Sequence, residues 1–335
     1  MKIKQFPLKA TGHGAAFLLV TLTTPALAQD RAANYPVKAV RIVTGSAPGG
    51  PLDFSARLAA QKLSEAFGQP VVVEPRTGAS GTIANEFVAK SAPDGYTLGA
   101  GSMATLCVVP HLYPKIGYDP VKDFAPITIV SAVGFVVVVH PSVPARNLKE
   151  LIALGKASPG KLSFGTSGAG SVTHLGIEML KSMANVNFLH IPYKGAAPAM
   201  IDLIGGQTDL MYDSVLTATP HIKSGKIRAL AMGSSKRSPL LPDVPTVAES
   251  GLPGLSSFEA STWFGIVAPA ATPRDIVARL HAAIVKGVSD KEVTQRLLGQ
   301  GMDTVLNTPE QFAERIKQDL PRWGKLLKTA GIKAE

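Results

Sequence analysis

The segments with the clearest chemical meaning in this 335-residue chain are two glycine-rich loops, each between a strand-like and a helix-like run. In the first, Ala47-Pro48-Gly49-Gly50-Pro51 follows Val40-Arg41-Ile42-Val43. It precedes a helix with Leu52, Ala56, Ala59, Leu63 and Phe67 along one face and Gly68 just past its end. In the second, Gly165-Thr166-Ser167-Gly168-Ala169-Gly170-Ser171 follows Leu162-Ser163-Phe164 and precedes a helix carrying Leu175, Met179 and Met183 on one side. Unpaired N–H groups at a helix start, backed by aligned peptide dipoles, form a ready anion site. Glycine lets a ligand approach the backbone closely. If Gly49, Gly50 and Asp53 face Thr166, Ser167, Gly168 and Ser171 across a cleft, the natural guest is a small molecule with a carboxylate at one or both ends.

Turns of this kind occur in every α/β protein and mostly bind nothing; two hydroxyl-rich examples in one chain favour binding. Asp53 has a second reading as a cap of its own helix, and Ser167 and Ser171 have one as loop or N-cap residues. Lys194, just beyond the strand end at Pro192, reads either as a point charge for a carboxylate or as a solvated surface lysine. Asp213 closes a strand and reads either as a partner for a ligand hydroxyl or as a brace for a neighbouring loop.

Catalytic patterns fail on inspection. Gly165-Thr166-Ser167-Gly168-Ala169 lacks the last glycine of a nucleophile elbow. The chain contains no Walker loop and no HExxH motif. His174 and Glu178 stand i, i+4 on a helix, but two groups alone make a poor metal site. His111, His140, His190, His221 and His281 show no ligand spacing. No catalysis, metal or cofactor is expected.

Positioning these loops requires the rest of the chain, in which strand-like and helix-like segments alternate; this predicts a mostly parallel sheet with helices on both faces. Val71-Val72-Val73-Glu74 completes the first βαβ unit and Phe188-Leu189-His190-Ile191 the second. Further elements are a helix over 197–204, strands over 209–212 and 227–232, and a strand at Trp263-Phe264-Gly265-Ile266-Val267. Thr272-Pro273 is read as N-cap and N1 of a helix bearing Ile276, Leu280 and Ile284. Thr308-Pro309-Glu310 opens another with Phe312, Ile316, Leu320 and Trp323, which Pro321 should kink or end. The Pro- and Gly-rich stretch 241–254 is read as a surface excursion before the chain re-enters its first domain.

The N-terminus reads as an export signal. Lys2, Lys4 and Lys9 precede a short apolar run from Ala15 to Leu22, and Pro25-Ala26-Leu27-Ala28 offers a cleavage site near Ala28. That run is too short to span a bilayer of roughly 20 helical residues. Cleavage removes three lysines and no acids, so the formal charge falls from +10 to +7. The single cysteine, Cys107, lies in an apolar stretch and is expected to be buried and unpaired. Aromatics make up only 6% and the basic residues are scattered, which argues against nucleic acid. A mild positive field suits small anions instead.

The same segments resemble a known family, the extracytoplasmic solute receptors of tripartite tricarboxylate transporters, also called Bug or TctC-like. The resemblance runs through the segment from Tyr35 to Val43, Ala47-Pro48-Gly49-Gly50 with Asp53, and Gly68-Gln69-Pro70-Val71-Val72-Val73-Glu74. It continues in Ala92-Pro93-Asp94-Gly95-Tyr96-Thr97-Leu98, Tyr118-Asp119-Pro120, Ser158-Pro159-Gly160-Lys161-Leu162 and Gly168-Ala169-Gly170-Ser171 with His174. Pro192-Tyr193-Lys194-Gly195, the segment from Gly225 to Ala231, and Leu241-Pro242-Asp243-Val244-Pro245-Thr246 complete it. It implies a type II-like periplasmic-binding-protein fold: two α/β domains, joined by a two-strand hinge, closing on a ligand cleft. The expected division is a signal peptide over 1–28, a discontinuous first domain over 29–130 plus 259–335, and a second over 131–258.

The resemblance also implies a periplasmic monomer that binds a small carboxylate and delivers it to permease subunits. The ligand would meet Ser46, Gly49, Gly50, Asp53 and Ser102 from the first domain, and Thr166, Ser167, Gly168, Ser171, Lys194 and Asp213 from the second. Where relatives commonly carry Val-Pro and an aromatic before Ala-Pro-Gly-Gly, this chain has Thr44-Gly45-Ser46, which leaves room for a larger or more polar guest. Two other functions remain open at this level: a sensor for a membrane signalling kinase, and a periplasmic hydrolase using Ser167 or Ser171.

Overall fold

The computed structural model describes residues 1–2, 34–113, 115–169, 171–329 and 331, so the expected export signal beyond its first two residues, with its cleavage site, lies outside the described residues. The first run of elements is β1 (Val40–Thr44), α1 (Pro51–Phe67), β2 (Val71–Pro75), α2 (Thr82–Ala89), β3 (Thr97–Ser102), α3 (Val109–Leu112) and β4 (Phe124–Val133). A single residue, Gly134, separates β4 from β5 (Phe135–Val139), which begins a second run. That run continues with α4 (Leu148–Ala157), β6 (Ser163–Thr166), α5 (Val172–Ala184), β7 (Leu189–Pro192), α6 (Ala196–Ile204), β8 (Leu210–Ser214), α7 (Val215–Lys223) and β9 (Arg228–Met232). The chain then returns through β10 (Thr262–Pro269), α8 (Arg274–Val288), α9 (Lys291–Gly299), β11 (Met302–Thr304) and α10 (Pro309–Thr329).

Two sheets result. The first has the order β11-β4-β10-β3-β1-β2 and the second β7-β6-β8-β5-β9. Both βαβ units pair in parallel: β1 lies between β2 and β3, and β6 between β7 and β8. The returning strand β10 runs antiparallel to β3 and β4, and β5 antiparallel to β8 and β9. The chain therefore passes between the sheets twice. The two passages are tied side by side where Gly233 N–H donates to Phe135 O and Ala260 N–H to Gly233 O, both at 2.8 Å. Tyr212 adds a hydroxyl bond to Ala260 O at 3.1 Å.

The run Phe135-Val136-Val137-Val138-Val139 is buried throughout, as a strand covered on both faces must be. Val137 and Val139 join the large core that continues into the first sheet, while Val136 and Val138 join a smaller one under α6 and α7. Each such valine contributes roughly 1.5–3 kcal/mol by its burial. Cys107 is fully buried, and burial pushes its thiol pKa far above the ordinary range, so it behaves as a small apolar residue.

Three local expectations need correction. Helix α8 starts one residue later than read: Pro273 is its N-cap in an extended conformation, and the Thr272 hydroxyl donates back to Pro269 O at 2.7 Å instead of capping. Helix α10 does not end at Pro321 but continues to Thr329, held on its apolar side by the buried Trp323, Leu326 and Leu327. The 241–254 stretch is not wholly superficial, because Thr246 bridges to Met232 and Val247 is fully buried.

Candidate functional site

The strand registers place the two loops. In the first sheet Ser102, the last residue of β3, pairs with Phe264, and Val133, the last of β4, pairs with Thr262 at the start of β10. The carboxyl end of β3, with β1 beside it, is thus level with the passage between sheets. In the second sheet Phe135, the first residue after that passage, pairs with Ser214 at the carboxyl end of β8, next to β6. Carboxyl edges of parallel strands are where open α/β sheets bind ligands, and here both edges turn toward the same crossing.

The first loop is locked by a carboxylate. Pro51 begins α1, so Asp53 is its third residue, and the buried side chain reaches back to accept from Gly49 N–H at 3.0 Å. Arg57, one turn on, donates to the same oxygen at 2.8 Å. Burial pushes the Asp53 pKa up, but the bonds from Arg57 and Gly49 outweigh it and hold the group below the ordinary aspartate range. Asp53 thus ties the loop to the first turn of its own helix, and the Gly49 amide is already engaged. Gly50 is the N-cap without a side-chain bond, and the half-buried Ser46 donates to Ala47 O at 3.1 Å. Ser102 is buried and shares hydrogen bonds with Thr105, whose hydroxyl accepts from Ser102 N–H at 3.1 Å.

The second loop is a hydroxyl network centred on Thr173. The Thr173 hydroxyl accepts from Ser167 N–H at 2.9 Å and lies 3.0 Å from Ser167 Oγ and 2.8 Å from Ser171 Oγ. Ser171 also caps α5, accepting from His174 N–H at 3.3 Å, and donates to Gly168 O at 2.7 Å. Thr166 is fully buried, with Oγ1 2.7 Å from His190 Nε2. Two main-chain bonds, Tyr193 N–H to Thr166 O and Gly195 N–H to Ser167 O, carry the exposed Lys194 alongside this loop. Asp213 is buried at the end of β8 and accepts from Thr217 at 2.5 Å; burial raises its pKa.

Residue types alone concealed three participants. Thr173 lies past the loop on the helix, Arg57 a turn beyond Asp53, and the Gly78-Ala79-Ser80-Gly81 turn is remote in sequence. That turn holds Ala79 and Ser80 at φ 45° and 54°, the left-handed region that such residues seldom enter, and it presses on the first loop. A Cβ on Gly45 would stand 2.6 Å from Gly81 Cα. Glycine in Thr44-Gly45-Ser46 therefore answers a close backbone approach. Among the described residues, the hydrogen bonds of each loop stay within its own lobe.

A family model described as "Tripartite tricarboxylate transporter family receptor" matches residues 55–332. The chain belongs to this family. Among its relatives is a protein from the tcbD-tcbE intergenic region of Pseudomonas sp. strain P51. That protein is 38% identical over 313 residues, 93% of this chain and 92% of the relative. BugT of Bordetella pertussis is 37% identical across 95% of this chain and 97% of its own length. Among solved structures, a Rhodopseudomonas palustris protein with adipate is 35% identical, with TM-score 0.69 over 89% of this chain and 99% of that one. MatC from the same species, with bound malate, is 33% identical with TM-score 0.65 over 88% and 100%. A TctC solute-binding protein from Polaromonas, solved with no ligand, is 27% identical with TM-score 0.80 over 88% and 99%. The receptor family and its two-lobed periplasmic-binding architecture thus stand as the resemblance implied.

Proposed function

We propose that this TctC-family receptor captures a small mono- or dicarboxylate between two lobes, 29–130 plus 259–335 and 131–258, and delivers it to the membrane subunits of a tripartite tricarboxylate-type transporter. It acts outside the cytoplasm, after loss of its N-terminal signal, as a monomer. The observation that carries this reading is the placement of two helix starts, α1 with the Gly49–Asp53 loop and α5 with the Ser167–Thr173 network. They lie on carboxyl edges that turn toward one crossing. Asp53 balances its own charge against Arg57, so the first lobe offers amides and Ser46 more than positive charge, while the second offers hydroxyls with Lys194 beside them.

Binding without catalysis fits the same geometry, since the hydroxyls of Ser167 and Ser171 are engaged with Thr173 and Gly168 O. The relatives solved with adipate and malate support a carboxylate guest. The overall agreement is better with the ligand-free Polaromonas protein than with those two, although its sequence is the more distant.

The test is a thermal-shift screen of the mature protein against aliphatic and aromatic mono- and dicarboxylates. A cognate ligand at about 100 times its Kd adds about 2.7 kcal/mol to apparent stability, a rise of several degrees in Tm. A screen in which no carboxylate moves Tm would sink the proposal.

A further inference from the structure

A cavity lies on the other side of the crossing. Strands β4 and β10 separate β11 from β3 and β1 in the first sheet, and β5 separates β9 from β8 and β6 in the second. The cavity, of about 410 Å³, is walled by β11 and by the 234–239 segment after β9. It therefore lies toward the sheet edges opposite those of the two glycine-rich loops, and its walls come from both lobes. Its apolar lining includes Ile129, Trp263, Leu298, Met302 and Val305.

The charges in this cavity do not balance internally. Arg315 is committed to Glu259 at 3.0 Å and Asp319 at 2.6 Å, and Arg237 to Glu249 at 3.0 Å. Lys236, also on the lining, is exposed. Asp303, on β11 beside Gly134, is partly buried and accepts no hydrogen bond from any described residue. The hydroxyl of its neighbour Thr304 is buried and likewise has no partner among the described residues. A partly buried carboxylate without a partner, over an apolar floor with an indole, is a recognition surface for a donor cation with an apolar body. Burial raises the Asp303 pKa, as expected of a carboxylate with no cation at hand.

We propose that this hinge-side cavity is a second binding site, for a small primary amine with a flat apolar body. The ammonium pairs with Asp303, and the body lies against Trp263, Leu298 and Met302. Because the walls belong to both lobes, an occupant favours whichever lobe angle shapes the cavity to it. The site thereby acts on opening and closure without touching the carboxylate loops.

Benzylamine is the probe, titrated into the mature, unaltered protein while the Trp263 indole N–H resonance is followed by NMR. The chain has only two tryptophans, so Trp263→Phe assigns the signal. Saturable movement with a millimolar Kd is expected for a ligand of this size. Benzyl alcohol, the same shape without charge, should bind at least about fivefold more weakly, because the charge-assisted bond is lost. Asp303→Asn should weaken benzylamine by the same factor while leaving the fold standing, since it neutralises an unpaired carboxylate. No saturable shift would overturn the site, and equal affinity for amine and alcohol would overturn the role of Asp303. The alcohol comparison needs no variant, and none of these measurements depends on which carboxylate the main cleft takes.

Discussion

His174 and His190 lie ring on ring, with centroids 3.9 Å apart and planes 8° from parallel, directly behind the second loop. Phe164 stacks on His190 at 4.8 Å, and Thr166 holds the His190 Nε2 at 2.7 Å. Glu178 and Lys181 complete the surroundings, with Glu178 Oε1 3.7 Å from His174 and 2.6 Å from the lysine. Burial, then the neighbouring His174, lowers the His190 pKa to about 4.

His190 makes stability depend on mildly acidic pH. The folded pKa of His190 lies below the ordinary value of about 6.5, so the unfolded chain takes up the proton first as pH falls. The contribution is fully present above about pH 6.5 and is lost progressively down to about pH 4. Allowing for the ring's partial exposure, it amounts to about 1–2 kcal/mol. Calorimetry across this window should show Tm falling, and His190→Gln should flatten the fall. An unchanged slope in the variant would remove His190 as its source.

Asp53→Ala should destabilise the protein by about 1–3 kcal/mol, since it leaves the Gly49 amide and Arg57 without their shared acceptor. Chemical denaturation measures the loss. A variant as stable as the parent would mean that the first loop is held by something else.

Ser167→Leu should abolish carboxylate binding while lowering stability by only about 1 kcal/mol, the worth of the lost bonds to Thr173. Titration calorimetry with a ligand found in the screen decides the matter. Undiminished affinity would remove the second loop from the site.

Gly45→Ala should cost about 1–3 kcal/mol, because the new methyl would meet Gly81 backbone, which cannot swing aside as a side chain does. Unaltered thermal stability would show that the two turns are not pressed together.

Much of the architecture was legible before any coordinates. The apolar spacing from Leu52 to Leu63 and from Leu175 to Met179 marks helices that bury one face, and Gly68 ends α1 in a left-handed conformation as its position suggests. Two misreadings fell at helix boundaries. Thr272 competes for Pro269 O instead of capping, and Pro321 is tolerated because packing around Trp323 outweighs the lost helix bond.

Residue order determined the alternation of strands and helices, the glycine loops and the family, since these depend on near neighbours and on patterns that repeat along the chain. Only the tertiary structure decided that Arg57 and Gly49 share Asp53, that Thr173 gathers two serines, and that Gly81 forbids a side chain at position 45. It also left Asp303 unpaired at the crossing. Those relationships depend on directions and distances between groups far apart in sequence or a helical turn away, and no local pattern encodes them.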